Sequence, residues 1–455
     1  MVKIFINKTN LLLILLFSVA VSMPVLSQKK IVGYYPNWIN ISANYFEFQN
    51  LTHVIQAFAS VNTDGTISVP SGIPNSALIQ AVHSADRKIL ISLGGGGGNT
   101  SGFVSVVSDS ALMTNFINNV ASFITQNKYD GVDIDWEFPN LRQGTQLTTL
   151  VKNLRQKFNT IDSALIISMA VPATASTGQG FQYSSLQNYV DWFAIMTYDY
   201  YGSWSSVAGF NAPLYQSLLD PLNAGAGASA VQYMISKNIP KNKLLFGIPF
   251  YGKEFKSAGL FLPQTGETDL LYNQVVDSLS TDKWIYYWDN TCDVPYLIND
   301  SSTAFITYDD TASVRIKTQY AVNQGLGGVM IWAIGQDMLL RGKQPLLESI
   351  GNVINGAASI VSNNNNIPDD FNLANNYPNP FNPSTVIEFS IPHDGFVTVK
   401  VFNTLGEEVA VLGESEMTAG LHKVSFNGTG FSSGIYFYVL SYNGLNIIKK
   451  MMLLK

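Results

Sequence analysis

Asp130-Gly131-Val132-Asp133-Ile134-Asp135-Trp136-Glu137-Phe138-Pro139 alternates acidic and apolar side chains from Asp133 onward. In an extended strand successive side chains take opposite faces. Asp133, Asp135 and Glu137 therefore share one face, and Ile134 and Trp136 take the other. Neighbours on the acidic face are about 6.6 Å apart. Glu137 comes last, and Pro139 ends the strand just beyond it. Three stacked carboxylates cannot all ionise cheaply, because burial and like charge both favour the neutral form. A retained proton is what turns a glutamate into a general acid. A divalent-metal site or a partly solvated strand end would show the same residues, although a metal draws acids from several strands.

This stretch is one of eight short apolar runs. They are Lys30–Tyr35, His53–Ser60, Lys88–Leu93, Gly131–Trp136, Leu165–Val171, Trp192–Tyr198, Leu244–Phe250 and Gly328–Ile334. Amphipathic stretches such as Ala111–Gln126 and Gln146–Asn159 lie between them. Near-continuous apolar strands with helical crossovers indicate a parallel sheet covered on both faces. Eight units predict an α/β fold, a (β/α)8 TIM barrel, with the acids facing inward and Glu137 at the mouth. A doubly wound open sheet would show the same alternation.

Composition narrows the chemistry. Only 13% of the 455 residues are charged, against about a quarter in ordinary domains. Net charge is −6, which lacks the basic footprint of a nucleic-acid binder. The one cysteine, Cys292, excludes an intramolecular disulfide and a paired-cysteine metal site. The four histidines have no zinc-ligand spacing. Acid–base work therefore falls to carboxylates, and no metal or cofactor is expected. Abundant aromatics suit a neutral ligand with apolar faces.

Residues 1–27 read as a signal peptide: Lys3 and Lys8, then an apolar run from Leu11 to Val21, then Val25-Leu26-Ser27. The run is short for a membrane anchor. An exported mature chain with no transmembrane segment is the expectation.

Asp130–Pro139 resembles the fourth-strand signature of glycoside hydrolase family 18, the chitinase family. Other strands resemble that family in order: Val32-Gly33-Tyr34-Tyr35-Pro36-Asn37-Trp38, Leu51–Ala59, Ser92-Leu93-Gly94-Gly95, Met196-Thr197-Tyr198-Asp199, Gly247–Gly252 and Gly327–Trp332. The likeness spans about residues 30 to 345. It implies a catalytic domain at 28–352 and retaining, substrate-assisted hydrolysis of N-acetylglucosamine linkages. By the resemblance, Glu137 is the acid and base. Asp135 holds the acetamido N–H, Asp133 shares a proton with Asp135, and Tyr198 holds the acetamido oxygen. Trp332 floors the reacting sugar, and Asp199 bonds sugar hydroxyls or the surroundings of the acid. Tyr34, Phe58, Met196, Tyr251, Met330 and Trp38 line the pocket, with Trp204 and Trp288 as outer candidates.

The chain departs from the family pattern at Gly96, where many members carry Trp, and at Lys253, where Arg is frequent. The connection between the seventh and eighth strands is short. It retains fragments such as Tyr286–Asp289 and Phe305–Asp309, which implies a reduced insertion, an open cleft and endo-acting cleavage. Gly94–Gly98 is not followed by the Lys-Ser/Thr of a phosphate loop.

A polar linker is expected at 353–371, around Asn363–Asn366. Alternating runs at Thr385–Ile391, Gly395–Asn403, Glu408–Leu412, Gly420–Phe426 and Gly434–Ser441 then predict a small Ig-like β-sandwich over 372–455. All seven Trp lie at or before Trp332, so the tail lacks the indole platform of a carbohydrate-binding module. Asn376–Thr385, Phe402–Gly406, Ser433–Tyr438 and Lys449–Lys455 resemble the type A sorting domain of the type IX secretion system. The resemblance implies that machinery as a partner and a secreted protein. Chitin or N-acetylglucosamine oligosaccharides are the other expected partner. An endo-β-N-acetylglucosaminidase and a non-catalytic chitin-binding lectin are the competing readings.

Overall fold

The computed structural model describes residues 28–359 and 372–454, apart from residues 40, 97–100, 280, 282, 377, 392–393, 419 and 443–444. The expected signal peptide, part of the linker and the end of the Gly94–Gly98 run lie outside the described residues. The chain forms two compact units, divided near Ala358.

In the first unit, eight parallel strands close into a barrel: Lys30–Pro36, His53–Val61, Lys88–Gly94, Gly131–Asp135, Ile166–Pro172, Trp192–Met196, Leu244–Pro249 and Gly328–Trp332. The first strand pairs with both the second and the eighth, with Val32 opposite His53 and Lys30 opposite Gly328. Alternation along the fourth strand decides its two environments. Val132, Ile134 and Trp136 join the core between sheet and helices, where Trp136 stacks on Phe103 at 5.2 Å. Asp133 and Asp135 are buried on the other face.

The helices follow from apolar spacing and caps. Ser110–Asn127 buries Met113, Phe116, Ile117, Val120, Ala121 and Ile124, the three-and-four rhythm of one helical face. Asp109 caps its start by accepting from the Ala111 and Leu112 N–H groups. Gly144–Asn159 repeats the pattern with Leu147, Leu150, Val151, Leu154 and Phe158.

Three boundaries differ from expectation. The connection after the seventh strand is an organised sheet rather than fragments. Its order is Gln264–Leu271, Tyr251–Ser257, Phe305–Thr307, Val294–Asn299, Trp284–Asp289, all antiparallel, with helix Tyr272–Leu279. Gln264–Leu271 is a polar, exposed edge strand, so it carries no apolar signal. The last barrel helix, Pro345–Ser359, runs into the expected linker because Ile354 is buried in the barrel core. The sixth strand ends at Met196, which leaves Tyr198 and Asp199 on the loop at the mouth.

The second unit holds two antiparallel sheets. One contains Asn372–Leu373, Ser384–Ile391 and Gly420–Asn427. The other contains Glu408–Met417, Gly395–Phe402, Gly434–Tyr442 and Leu445–Leu453. Phe389, Val399, Tyr438 and Met451 belong to its own core. Among the described residues no helix is long and apolar enough to cross a membrane.

Candidate active site

Four barrel strands build the floor of the site, the fourth carrying Asp133 and the first, third and fifth carrying its donors. Asp133 is fully buried and accepts three hydroxyl bonds: Tyr34 Oη at 2.9 Å, Ser92 Oγ at 2.8 Å and Ser168 Oγ at 2.7 Å. Burial pushes its carboxyl up, and the three hydroxyl donors oppose that push.

Asp135, one turn of the pleat nearer the mouth, is 4% exposed. Its Oδ1 has no hydrogen-bond partner among the described residues. Its carboxyl hydrogen-bonds Glu137. Burial first, then the charges of Glu137 and Asp133, hold Asp135 well above the usual carboxylate range. Glu137 is half-buried and is also raised, by burial and by Asp199, while its bond from Asp135 pulls the other way. Both shifts point upward, so the pair retains a proton. Asp135 is the deeper partner. None of the ion pairs among the described residues involves Asp133, Asp135 or Glu137.

Asp133 also acts on Asp135, because its charge is among the causes that raise the Asp135 carboxyl. Asp133 accepts from three hydroxyls, and the carboxyl with which Asp135 is hydrogen-bonded is that of Glu137. Ser168 was not singled out from the sequence. The one signal was a lone hydroxyl inside the apolar run Leu165–Val171.

Tyr198 is buried, and among the described residues its hydroxyl meets the Met330 sulfur, at 3.7 Å. That is a weak acceptor. Burial and the surrounding carboxylates, Asp135 first, hold the phenol far above its ordinary value, so it remains a donor. Asp199 adopts a left-handed φ of 57°, fixed by its N–H donating to Asn211 Oδ1 at 3.1 Å. Its Oδ1 accepts from Tyr251 Oη at 2.7 Å and from Lys253 Nζ at 3.1 Å.

Several of the aromatic residues named from the sequence lie in contact with one another. Trp332 stacks on Phe58 at 5.6 Å, tilts against Tyr34 at 5.6 Å and reaches Trp38 at 6.4 Å. Met196, Met330 and Tyr251 join the same cluster inside the barrel. Trp38 is 62% exposed, so it presents an indole face to solvent. A Cβ on Gly95 would come within 2.9 Å of the Phe58 ring, and φ there is 89°. Glycine is therefore required at Gly95 for the third-strand loop to lie over that floor. A Cβ on Gly96 would stand 3.6 Å from both Glu137 oxygens, so that glycine leaves the space beside the acid open. Trp204 is exposed and lies over Lys253 at 5.8 Å. Trp288 sits on the edge strand Trp284–Asp289 of the inserted sheet, opposite Pro295, outside this cluster.

Acids at the ends of barrel strands and an aromatic floor define a sugar-cleaving type of barrel. Residues 30–337 match the model of glycosyl hydrolases family 18, and the chain belongs to that family. Residues 375–454 match the secretion system C-terminal sorting domain. Among individual relatives, Chitinase A1 of Niallia circulans is 27% identical over 68% of this chain and 56% of its own length. Probable chitinase 2 of Drosophila melanogaster is 29% identical over 71% of this chain and 75% of its own. The chain thus spans between about half and three quarters of these curated relatives. The structure of Ostrinia furnacalis Group IV chitinase in complex with allosamidin superposes with a TM-score of 0.68 at 27% identity. That match covers 72% of this chain and 99% of that one. Human YKL-39, described as a pseudo-chitinase with retained chitooligosaccharide binding, superposes with a TM-score of 0.67 at 25% identity, over 72% of this chain and 100% of that one.

Proposed function

We propose that this protein is a secreted endo-acting chitinase that cleaves β-1,4-N-acetylglucosamine linkages with retention. The observation that carries the reading is the Asp135–Glu137 pair: a buried and a half-buried carboxyl, both pushed up by burial and outside every ion pair among the described residues, at the mouth end of a barrel strand. A bound acetamido sugar supplies what the resting site lacks. Its N–H donates to the unpartnered Asp135 Oδ1, and its carbonyl oxygen accepts from Tyr198 Oη. The proton shared by the pair passes to Glu137, leaving Asp135 an anion beside the developing positive charge. Glu137 then gives that proton to the glycosidic oxygen as the C1–O bond breaks. The acetamido oxygen attacks C1 from the opposite face and forms an oxazolinium ring. Water next adds to C1 as Glu137 takes its proton, the ring opens, and Glu137 is again protonated.

Gly96 and the exposed Trp38 favour an open cleft and internal cleavage. The sorting domain supports delivery through the type IX machinery to the cell exterior, following export by the signal peptide. A lectin role is disfavoured because the acid is present. A glycoprotein endo-β-N-acetylglucosaminidase uses the same chemistry and is the second reading.

Incubating the protein with colloidal chitin and, separately, with a high-mannose glycoprotein decides between them through new reducing ends. Chitin is the expected substrate, with internal cuts that shorten long chains early. Glu137→Gln is expected to lower turnover about 10²- to 10⁴-fold while binding persists. Release of dimers alone from one chain end overturns the endo assignment. An active Glu137→Gln variant overturns the acid. The reaction needs the proton that burial retains, so activity falls as pH rises through the raised pKa of the pair.

A further inference from the structure

A groove of about 550 Å³ lies on the flank of the barrel, between the segment that follows the fifth strand and the helix Gly227–Ser236. Small-ligand pockets have volumes of about 300–1,000 Å³. Tyr183 and Tyr233 wall the groove, with ring centroids 6.2 Å apart and planes at 86°, and Phe181 stacks on Tyr183 at 5.5 Å. Tyr183 is 2% exposed, and its hydroxyl has no hydrogen-bond partner among the described residues. Gly178 lies against it: a Cβ there would stand 3.1 Å from Tyr183 Oη and 3.3 Å from Tyr233 Oη. Both hydroxyls therefore converge on backbone that carries no side chain. Among the described residues no carboxylate lines the groove, and its one cation, Lys237, already lies over the Tyr233 ring at 5.0 Å. The groove also adjoins the acid. Leu141, 69% exposed, lines it and follows Glu137 by four residues. A Cβ on Gly180 would come within 1.9 Å of the Pro139 carbonyl oxygen, so the loop after the fifth strand is seated on the segment just beyond the acid.

We propose that this groove is a second binding site for acetamido sugars, one that holds a polymer beside the catalytic mouth without taking part in its cleavage. That the polymer is chitin rests on the reading of the barrel as a chitinase. The preference of the groove for a neutral ligand bearing a carbonyl does not. An acetamido group suits these surroundings: its carbonyl oxygen accepts from Tyr183 Oη, and its methyl group lies against the aromatic rings. Burial first, then Tyr233, holds the Tyr183 phenol far above its ordinary value, so it remains a donor. The half-buried Tyr233 ring and the exposed Leu141 offer apolar surface to the C–H faces of a sugar. A divalent cation would draw on carboxylates, and the groove has none among the described residues. An anion would draw on free positive charge, and the single ammonium is engaged with a ring.

Weakened adsorption with intact chemistry is the signature of such a site. Adsorption of the full chain to colloidal chitin is measured beside kcat/KM on a soluble N-acetylglucosamine tetramer. Tyr233→Ala is expected to weaken adsorption about three- to tenfold, the worth of one aromatic contact, and to leave tetramer turnover at the wild-type level. Tyr183→Phe keeps the ring and removes a hydroxyl that has no partner among the described residues, so the denaturation midpoint holds while adsorption weakens about threefold. It reports even where Tyr233→Ala does not fold. Cellulose, which lacks the acetamido group, is the control, and Tyr183→Phe is expected to leave adsorption to it unchanged. Wild-type adsorption to chitin in both variants, or tetramer turnover that falls in step with adsorption, overturns the second site. A Tyr183→Phe loss of equal size on cellulose overturns the acetamido assignment. A full chain that cleaves no chitin yet loses adsorption in both variants overturns the chitinase reading and leaves the groove standing.

Discussion

Asp135 and Asp309 are buried to nearly the same degree, at 4% and 2% exposure, yet they are compensated in opposite ways. Asp309 follows the last strand of the inserted sheet and meets Lys317, whose Nζ lies 2.5 Å from Oδ1 and 2.7 Å from Oδ2. The same Nζ donates to the Ala212 carbonyl, and Ser313 donates to Asp309 at 2.7 Å. A cation and a hydroxyl thus satisfy Asp309 within the fold, and nothing is left for a ligand. Among the described residues Asp135 meets no cation and keeps one oxygen unpartnered, and burial pushes its carboxyl towards the protonated form. A buried carboxylate closed by a cation holds elements together. A buried carboxyl closed by a proton can release that proton and accept a new partner. The contrast separates structural from chemical acids where burial alone cannot.

Breaking each arrangement gives different outcomes. The largest effect falls on stability. Lys317→Met strands the Asp309 charge and is expected to cost about 3–5 kcal/mol, read as a lower denaturation midpoint of the barrel unit. Chemistry in the surviving folded fraction stays near wild type. Asp135→Asn is expected to do the reverse. The isosteric amide replaces a neutral acid, so the midpoint holds. Turnover falls about 10²- to 10³-fold through the lost anion beside C1. A large stability loss in Asp135→Asn, or a specific turnover loss in Lys317→Met, would erase the distinction.

Much of this was readable in the sequence because strand periodicity is strict. Alternation from Asp133 to Glu137 placed the acids on one face, and the position of each apolar run ordered the barrel. Polar edge strands were not readable. Gln264–Leu271 places Glu267 and Asp269 around Lys253, yet its composition resembles a loop. The hydrogen bonds to Asp133 were equally hidden, because Tyr34, Ser92 and Ser168 come from three other strands. Strand Leu445–Leu453 in the tail went unseen as a strand because Lys449 and Lys450 interrupt its alternation.

The central claim is that the acid strand is neutralised by a proton. Carbon-13 NMR of protein labelled at the Asp and Glu carboxyls tests it most directly. At neutral pH the account predicts a carboxyl resonance at the protonated position that disappears in Asp135→Asn. A spectrum in which every carboxyl has ionised at that pH would contradict it.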